Sequence, residues 1–520
     1  TMNAPADTLV YPLAAEPATL DPQEATDSTS ALVVQQLYEG LYQLRGDGTL
    51  APAAATGYQV SADGRVYTIT LRSEARWSDG QPVTARHFVD GVCRALDPAT
   101  GNDYYYLLTD IARVIGARAF ASGNTADCGK VGIQAVGDHM LRITLEQPAS
   151  FFPKLLAMQI FFPARREITG TLKAGPVVNG PYVLAETAPG RRLVLRANPA
   201  YWNAAQVGLR QIEFRIVPDL AEQLALYRRG DLAVAEFPAE ETPAIMADPA
   251  LAKELRVLVR PGVSYIGLNT QAGPTKNVAF RKAIASALDR KKLIAEVLMQ
   301  PWHMPAQAAV PPDIPGSQAG DPTVGYPYNP EAARKFLAEA GYGPAKPVPP
   351  VEIWINQEGN NERLFKAVAA MLEQAGIPTR LTLSKWGVYR GALDACNKPN
   401  RSDAGRTPAE CSYNLYRMGW VMDYADPSAL LDMVFSPRSA FQYTGWQSKK
   451  YEELLAQALA EKDEGKRLDL YRAAEKILLN DEVAIVPLQY YDRTLLVKEG
   501  VRFDYPQFGA PNLMYWARAQ

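Results

Sequence analysis

Apolar and polar residues alternate with a period of two in several parts of this chain. Tyr67, Ile69 and Leu71 are separated by two threonines, and the same alternation returns at 141–145 and at 212–216. A period of two places the apolar side chains on one face of an extended segment, so each stretch predicts a half-buried β-strand.

Helical patterns occur between the strand patterns. Asp219 and Glu222 form a capping-box pattern at the start of one apolar stripe, and Gly230 marks its end. Another stripe follows Ser448 and consists of Tyr451, Leu454, Leu455, Ala458 and Leu459. Such residues favour helix starts and ends at these positions. Because both periods recur along the chain, the sequence predicts a mixed α/β fold.

Length and charge narrow the class of protein. At about 150 residues per domain, 520 residues predict three or four domains. Lys and Arg number 54 against 56 Asp and Glu, which gives a net charge of -2. A nearly neutral chain lacks the basic surface that nucleic acid or a membrane surface would require.

No apolar stretch is long enough to span a bilayer. The first residues show no signal-peptide pattern, which suits a cytosolic protein or a mature exported one.

Four cysteines allow three disulfide pairings or four separate thiols. The pairs that are close in sequence are favoured: Cys93 with Cys128, and Cys396 with Cys411. The second bond would close a loop rich in Pro, Asn, Arg, Ser and Gly. Disulfides would place the protein outside the cytosol.

Known catalytic and cofactor motifs are absent from the sequence. It contains no dinucleotide or phosphate-binding glycine loop, no HExxH helix and no GxSxG elbow. The cysteines form no CxxC pair and the three histidines are scattered, so we expect neither a metal nor a cofactor. These absences favour a protein that binds a molecule over an enzyme.

One segment, 416–427, concentrates residue types that suit a binding site. Asp423 follows a predicted strand and is flanked by Trp420 and Tyr424. A carboxylate beside aromatic rings is a common way to bind an ammonium group. On spacing alone, the favoured interpretation of Asp423 is a helix cap or a surface residue beside aromatic core residues.

This segment resembles the GW-x-x-D-Y-x-[ED]-P motif of the bacterial periplasmic oligopeptide-binding proteins, solute-binding protein family 5. Further blocks in family order are Glu16-Pro17, Leu37-Tyr38-Glu39-Gly40-Leu41, Trp77-Ser78-Asp79-Gly80, Asn179-Gly180-Pro181-Tyr182, Asn198-Pro199, Phe280-Arg281-Lys282-Ala283 and Ile485-Val486-Pro487-Leu488. The resemblance covers nearly the whole chain.

The resemblance implies a periplasmic binding protein-like α/β fold with two hinged lobes and an extra domain. Its segments would be 1–44, 178–267 and 493–520 for lobe one, 45–177 for the extra domain and 268–492 for lobe two. The family encloses peptides and delivers them to the permease subunits of an ABC importer. The resemblance therefore implies a monomeric, non-catalytic protein in the periplasm or on the outer face of the cell membrane, with or without a lipid anchor.

The resemblance also assigns roles to residues. Asp423 would pair with the α-ammonium group of the peptide, and Arg417 would help to bind its carboxyl end at some lengths. Trp420 and Trp386 would line side-chain pockets. The complete expected ligand-binding set is Thr26, Asp27, Ser28, Tyr104, Tyr265, Asn361, Trp386, Arg417, Trp420 and Asp423. Thr26, Asp27 and Ser28 would form an extended stretch that pairs with the peptide backbone.

Two departures from the family pattern leave the cargo open. Asn361 replaces a histidine of close relatives, which puts the preferred peptide length in doubt. An insertion at 396–411 could re-roof a pocket or be an inert surface loop. Other cargoes on the same fold, such as an oligosaccharide, a metal complex or an opine-like solute, are the first alternative. A secreted hydrolase is the second.

Overall fold

The computed structural model describes residues 2–168, 176–401 and 405–518. The chain divides into two units: unit 1 is Thr1–Leu258 with Arg493–Gln520, and unit 2 is Val259–Asp492. The chain therefore passes between the units twice, once within a strand at Leu255–Leu268 and once within a strand at Ile485–Val497. Among the described helices, none combines the length and the apolar character that a bilayer crossing needs.

The strands of unit 1 confirm the alternation that the sequence shows. They are β1 (Thr8–Leu13), β2 (Tyr42–Leu44), β3 (Leu50–Pro52), β4 (Ala55–Val60), β5 (Val66–Leu71), β6 (Ile133–Ala135), β7 (Met140–Thr144), β8 (Tyr182–Ala188), β9 (Arg192–Ala197), β10 (Gln211–Ile216), β11 (Val234–Ala235), β17 (Val501–Arg502) and β18 (Ala517–Arg518). Two four-stranded sheets result, with the orders β1-β10-β9-β8 and β4-β5-β7-β6. Within the first sheet β1 and β10 are parallel, and the other pairs are antiparallel.

Seven α-helices accompany these sheets in the described part of unit 1. They are α1 (Ser28–Leu37), α2 (Ala85–Leu96), α3 (Ala117–Ala121), α4 (Phe152–Leu155), α5 (Leu220–Arg229), α6 (Thr242–Ala247) and α7 (Pro249–Glu254). The predicted limits of α5 are confirmed: the Asp219 side chain accepts a hydrogen bond from the Glu222 N–H, and Gly230 ends the helix in the left-handed conformation.

Unit 2 contains the strands β12 (Leu255–Leu268), β13 (Val351–Asn356), β14 (Thr379–Ser384), β15 (Leu415–Val421) and β16 (Ile485–Val497), of which β12 and β16 include the two chain crossings. Its helices are α8 (Val278–Ser286), α9 (Arg290–Lys292), α10 (Pro330–Glu339), α11 (Asn361–Gln374), α12 (Trp386–Ala395), α13 (Lys398–Arg401), α14 (Ser428–Leu431), α15 (Lys449–Ala460) and α16 (Glu464–Lys476). Ser448 caps α15 as the sequence predicts.

The sheet of unit 2 has the order β16-β12-β15-β13-β14. Strands β14, β13 and β15 are mutually parallel neighbours, whereas β12 is antiparallel to β15. Apolar residues of these strands, of α8 and of α11 form the core on one face, with Ile353, Phe365 and Leu415 fully buried. The parallel arrangement brings the carboxyl ends of three strands to the same edge of the sheet.

Both disulfides form between the pairs that are close in sequence, Cys93 with Cys128 in unit 1 and Cys396 with Cys411 in unit 2. The mixed α/β class is confirmed. The division into five domain segments stays a prediction. Residues 402–404, inside the predicted insertion, lie outside the described residues.

Candidate functional site

Three predicted site residues follow the carboxyl ends of the three neighbouring parallel strands of unit 2. Asn361 follows β13 and begins α11, Trp386 follows β14 and begins α12, and Asp423 follows β15. In α/β proteins this edge of a parallel sheet is the usual place for a ligand, because loops and helix starts converge there. The sheet topology therefore explains why residues far apart in sequence belong to one site.

Hydrogen bonds connect the segments that follow β13 and β14 to Arg417 on β15. Arg417 donates to the amide oxygen of Asn356 at 3.3 Å, and Asn356 donates to Glu358 at 2.8 Å. The other Glu358 oxygen accepts the backbone N–H of Trp386 at 2.6 Å. The hydrogen bond from Trp386 has the larger effect and that from Asn356 the next, and both hold the pKa of Glu358 below its ordinary value. The positive charge of Arg417 also lowers this pKa. Asn361 joins the group through its backbone, 3.4 Å from the Glu358 carbonyl.

Tyr491 is a contact of this site that the sequence analysis did not find. Its hydroxyl accepts a hydrogen bond from the Arg417 guanidinium at 2.8 Å. The ring lies against two glycines, because a Cβ at Gly419 would stand 1.9 Å from the Tyr491 hydroxyl and one at Gly262 would stand 2.8 Å from its ring. Gly419, in the middle of the site strand, was the available signal: a glycine inside a strand indicates the close approach of another group.

Arg417 and Trp420 do not share a face of β15. Side chains alternate along a strand, so residues three positions apart point to opposite faces. Their neighbours agree, since Arg417 contacts Asn356 and Tyr491 whereas Trp420 packs against Phe441 with ring centroids 4.7 Å apart. The sequence motif had suggested a single group, and the structure separates its members.

Two buried donors on β15 lack an acceptor among the described residues. They are the Nε of Arg417 and the indole N–H of Trp420. Buried polar groups in native proteins are almost always hydrogen-bonded, so an unsatisfied donor needs an explanation. Because the two donors lie on opposite faces of β15, a ligand on one face can supply an acceptor to only one of them.

Asp423 lies half-buried in a segment that is firmly held on both sides. The Met422 N–H donates to the Pro261 carbonyl at 2.8 Å, and the side chains of Met422 and Tyr424 are buried. Farther along, Asp426 forms a fully buried ion pair with Arg467. The carboxylate of Asp423 is thus presented from a backbone that its neighbours fix.

Tyr265, the remaining candidate in unit 2, lies on β12 opposite Met418 of β15. Its side chain is 1% exposed and packs edge-on against Phe435. Burial raises the pKa of its hydroxyl well above the ordinary value. Tyr265 therefore supports the strand that carries Trp420.

The other four candidates belong to unit 1. Asp27 is extended and caps α1 by accepting the Ser30 N–H at 2.8 Å. Burial acts to raise the pKa of Asp27, but the hydrogen bonds from Ser30 outweigh it and keep this pKa below its ordinary value. Ser28 is already the first helical residue, so the predicted extended stretch does not include Ser28. The cap explains the difference, because a side-chain acceptor at Asp27 starts the helix there.

Tyr104 lies close to that stretch. Asn102 accepts the Tyr104 N–H at 2.8 Å and donates to the Gln23 carbonyl at 2.8 Å, which connects the two segments. The Tyr104 side chain is 37% exposed, as a ligand-contacting ring requires. Contact of these residues with a ligand stays a prediction.

No group of His, Cys, Asp and Glu among the described residues could hold a metal ion. The candidate site itself offers a ligand a carboxylate, a guanidinium and aromatic rings. A parallel-sheet edge with these groups defines a ligand-binding α/β protein.

The chain belongs to the bacterial extracellular solute-binding proteins of family 5. The model for that family, "Bacterial extracellular solute-binding proteins, family 5 Middle", matches residues 49–442. The resemblance drawn from the sequence blocks is thus confirmed.

Similar proteins differ in what their names say they bind. The chain is 31% identical over 511 residues to oligopeptide-binding protein OppA of Bacillus subtilis (strain 168), covering 95% of this chain and 89% of OppA. It is 30% identical over 508 residues to the probable deoxycholate-binding periplasmic protein YgiS of Escherichia coli (strain K12), covering 96% and 90%. The solved structure of the murein tripeptide-binding protein MppA from Escherichia coli, in its unliganded open form, matches with a TM-score of 0.85 at 28% identity and covers 99% of this chain and 98% of MppA.

Proposed function

We propose that this protein is an extracytoplasmic binding protein that encloses short peptides and delivers them to an ABC importer. Asp423 pairs with the α-ammonium group of the peptide. The protein has no catalytic role of its own, acts as a monomer, and works in the periplasm or on the outer face of the cell membrane.

The observation that carries the proposal is the position of Asp423 after β15. The half-buried carboxylate stands at the carboxyl edge of three parallel strands, on a segment fixed by a buried ion pair. A carboxylate beside aromatic rings at this edge of the sheet suits an ammonium group, which supports an amine-bearing ligand. The unsatisfied donor of Arg417 adds a site for a peptide carbonyl or carboxylate oxygen.

The cargo can be identified by mass spectrometry of the small molecules released when gently purified protein is denatured. A mixture of short peptides with varied sequences is the expected result, because backbone contacts do not discriminate side chains. A single non-peptide compound, such as the steroid acid suggested by the name of YgiS, would keep the family and overturn the peptide assignment.

The anchoring role of Asp423 is tested with blocked peptides. We expect N-acetylated peptides to bind far more weakly than the same peptides with a free amino group, as measured by titration calorimetry. In Asp423→Asn the free and blocked peptides should bind alike, because the charge that distinguishes them is gone. Equal binding of both forms to the unmodified protein would refute ammonium pairing and leave peptide binding itself untouched.

A further inference from the structure

Unit 1 contains a cavity of about 860 Å³ beside the Cys93–Cys128 disulfide. Its apolar residues include Val89, Phe120 and Ile133, which are almost fully buried. Its charged lining consists of Arg86, Asp90, Arg94, Asp97, Asp127 and Arg166. The volume lies within the range of about 300–1,000 Å³ typical of small-molecule sites. None of these residues belongs to the site around Asp423.

One end of the cavity carries excess positive charge. Arg86 and Arg166 both bind the same carboxylate oxygen of Asp90, at 3.0 and 3.1 Å. The Asp90 side chain is 8% exposed, whereas those of Arg86 and Arg166 are 58% and 70% exposed. Two guanidinium groups thus share one buried carboxylate, which leaves one positive charge and several N–H donors for an anionic group.

The other end carries excess negative charge. Asp97 and Asp127 accept the backbone N–H groups of Ala99 and Gly129, at 2.9 and 2.8 Å. In the described ranges 2–168, 176–401 and 405–518, no cation lies within ion-pair distance of either carboxylate. The remaining cation of the lining, Arg94, is neutralised by Asp21 and Glu24, with which it forms ion pairs.

The helix α2 and the disulfide set the spacing of the two ends. Arg86 and Asp90 lie in the first half of α2, and Asp97 follows its last residue. Asp127 precedes Cys128, whose bond to Cys93 ties it to the last turns of the same helix. At 1.5 Å per residue, the step from Asp90 to Asp97 is about 10 Å. The helix dipole has the same sense, positive at the Arg86 end and negative at the Asp97 end.

We propose that this cavity is a second ligand site, which binds a short zwitterionic peptide in extended form. The carboxylate of the peptide pairs with Arg86 and Arg166, and its ammonium group pairs with Asp97 and Asp127. An extended peptide of three residues spans about 10 Å, which is close to the rise of α2 from Asp90 to Asp97. The inference does not depend on Asp423 or on the cargo of the site in unit 2.

The disulfide in the cavity wall provides a local readout. Trialanine is the probe, and the rates at which dithiothreitol reduces the two disulfides are followed by alkylation and mass spectrometry. At ten times its Kd, bound trialanine should slow reduction of Cys93–Cys128 by about tenfold. Cys396–Cys411, which lies in unit 2, is the internal reference.

Trialanine amide, N-acetyl-trialanine, succinate and spermidine test the charge pattern, since each lacks one of the two charges. Each should protect Cys93–Cys128 much less than trialanine does. Equal protection by any of them would overturn the assignment of a zwitterionic ligand, and no protection by trialanine would overturn the site. Protection that disappears in Asp423→Ala would also overturn it, because the peptide would then act from unit 2.

Charge-neutral variants assign the effect to the cavity. Protection should be abolished in each of two double variants, Arg86→Gln/Arg166→Gln and Asp97→Asn/Asp127→Asn. In the second, the asparagine side chains still carry an oxygen that can accept the N–H groups of Ala99 and Gly129. Arg118→Gln is the matched control for the arginines, because Arg118 is 67% exposed in an ion pair of the same unit outside the cavity lining. Asp47→Asn matches Asp127, since Asp47 accepts the N–H two residues later in the same way. Persistent protection in both double variants would contradict the proposal.

Discussion

Asp423 and Asp426 lie three residues apart in the segment that follows β15, and they have opposite environments. Asp426 is fully buried, pairs with the equally buried Arg467 and accepts the Ser428 N–H at 3.0 Å. Burial acts to lower the pKa of Arg467, yet its bonds to Asp426 and Glu464 keep it above the ordinary value. Asp423 is only half-buried. The Asp426 carboxylate fixes the segment, and Asp423 is the carboxylate that we propose to bind the ligand.

The largest effect is expected for Asp426→Ala, which leaves Arg467 buried without its main partner. Removing one member of a buried ion pair costs roughly 3–5 kcal/mol of unfolding free energy. Urea denaturation measures this loss. The control is Asp469→Ala, which breaks the exposed pair with Arg472 on the same helix and should cost at most about 1 kcal/mol. Similar losses of unfolding free energy in both variants would mean that the buried ion pair of Asp426 contributes no more than the exposed pair of Asp469.

Asp423→Ala should have the complementary effect. The unfolding free energy of the empty protein should change by no more than about 0.5 kcal/mol. Peptide affinity should fall by roughly 2–5 kcal/mol, because a charged partner of the ligand is lost. Calorimetry and urea denaturation on the same samples separate the two quantities. Unchanged affinity would remove Asp423 from the site.

Tyr491→Phe tests how Arg417, on the strand that precedes the two aspartates, is held in place. The ring still fits against Gly262 and Gly419, and only the hydrogen bond to Arg417 is lost. A hydrogen bond to a charged group contributes roughly 1.5–3 kcal/mol, so peptide affinity should fall by up to that amount. Tyr490→Phe is the matched control, because its hydroxyl donates to the Ala308 carbonyl and its loss should affect stability alone. Equal affinities of the two variants would argue against a positioning role.

Glu39 of unit 1 is a further buried carboxylate, and it has no ion-pair partner among the residues that the structure describes. It accepts hydrogen bonds from Tyr201 and from the Trp202 indole, and burial raises its pKa from 4.5 to about 7. A raised folded-state pKa contributes stability at low pH that is lost as pH rises from 4.5 to about 7. The stability of the protein relative to Glu39→Gln should therefore decline over this window.

Urea denaturation at about pH 5 and about pH 8 measures that decline. Glu240→Gln, at an exposed glutamate of the same unit, is the control variant. A difference between the protein and Glu39→Gln that is the same at both pH values would mean that the Glu39 carboxyl titrates as it does in the unfolded chain.

Local patterns predicted much of this structure. The alternation at Tyr67–Leu71 lies within β5, and the caps at Asp219 and Ser448 start the predicted helices. These features depend on residues close in sequence. The contact between Tyr491 and Arg417 joins positions 74 apart, so neither period nor spacing could indicate it. The placement of Arg417 and Trp420 on opposite faces can be predicted only if the strand is known to continue to Val421. The motif alone does not define where this strand ends.

Unit 1 is assembled from both ends of the chain, whereas unit 2 is one continuous stretch. The Gln36 side chain of α1 bonds to the backbone of Pro511 and Leu513, at 2.8 Å each. A chain that emerges from its amino end can therefore complete unit 2 while unit 1 still lacks its last segment. Because exposed apolar surface promotes aggregation, unit 1 is the part of the molecule that stays at risk of aggregation until the last segment of the chain has been made.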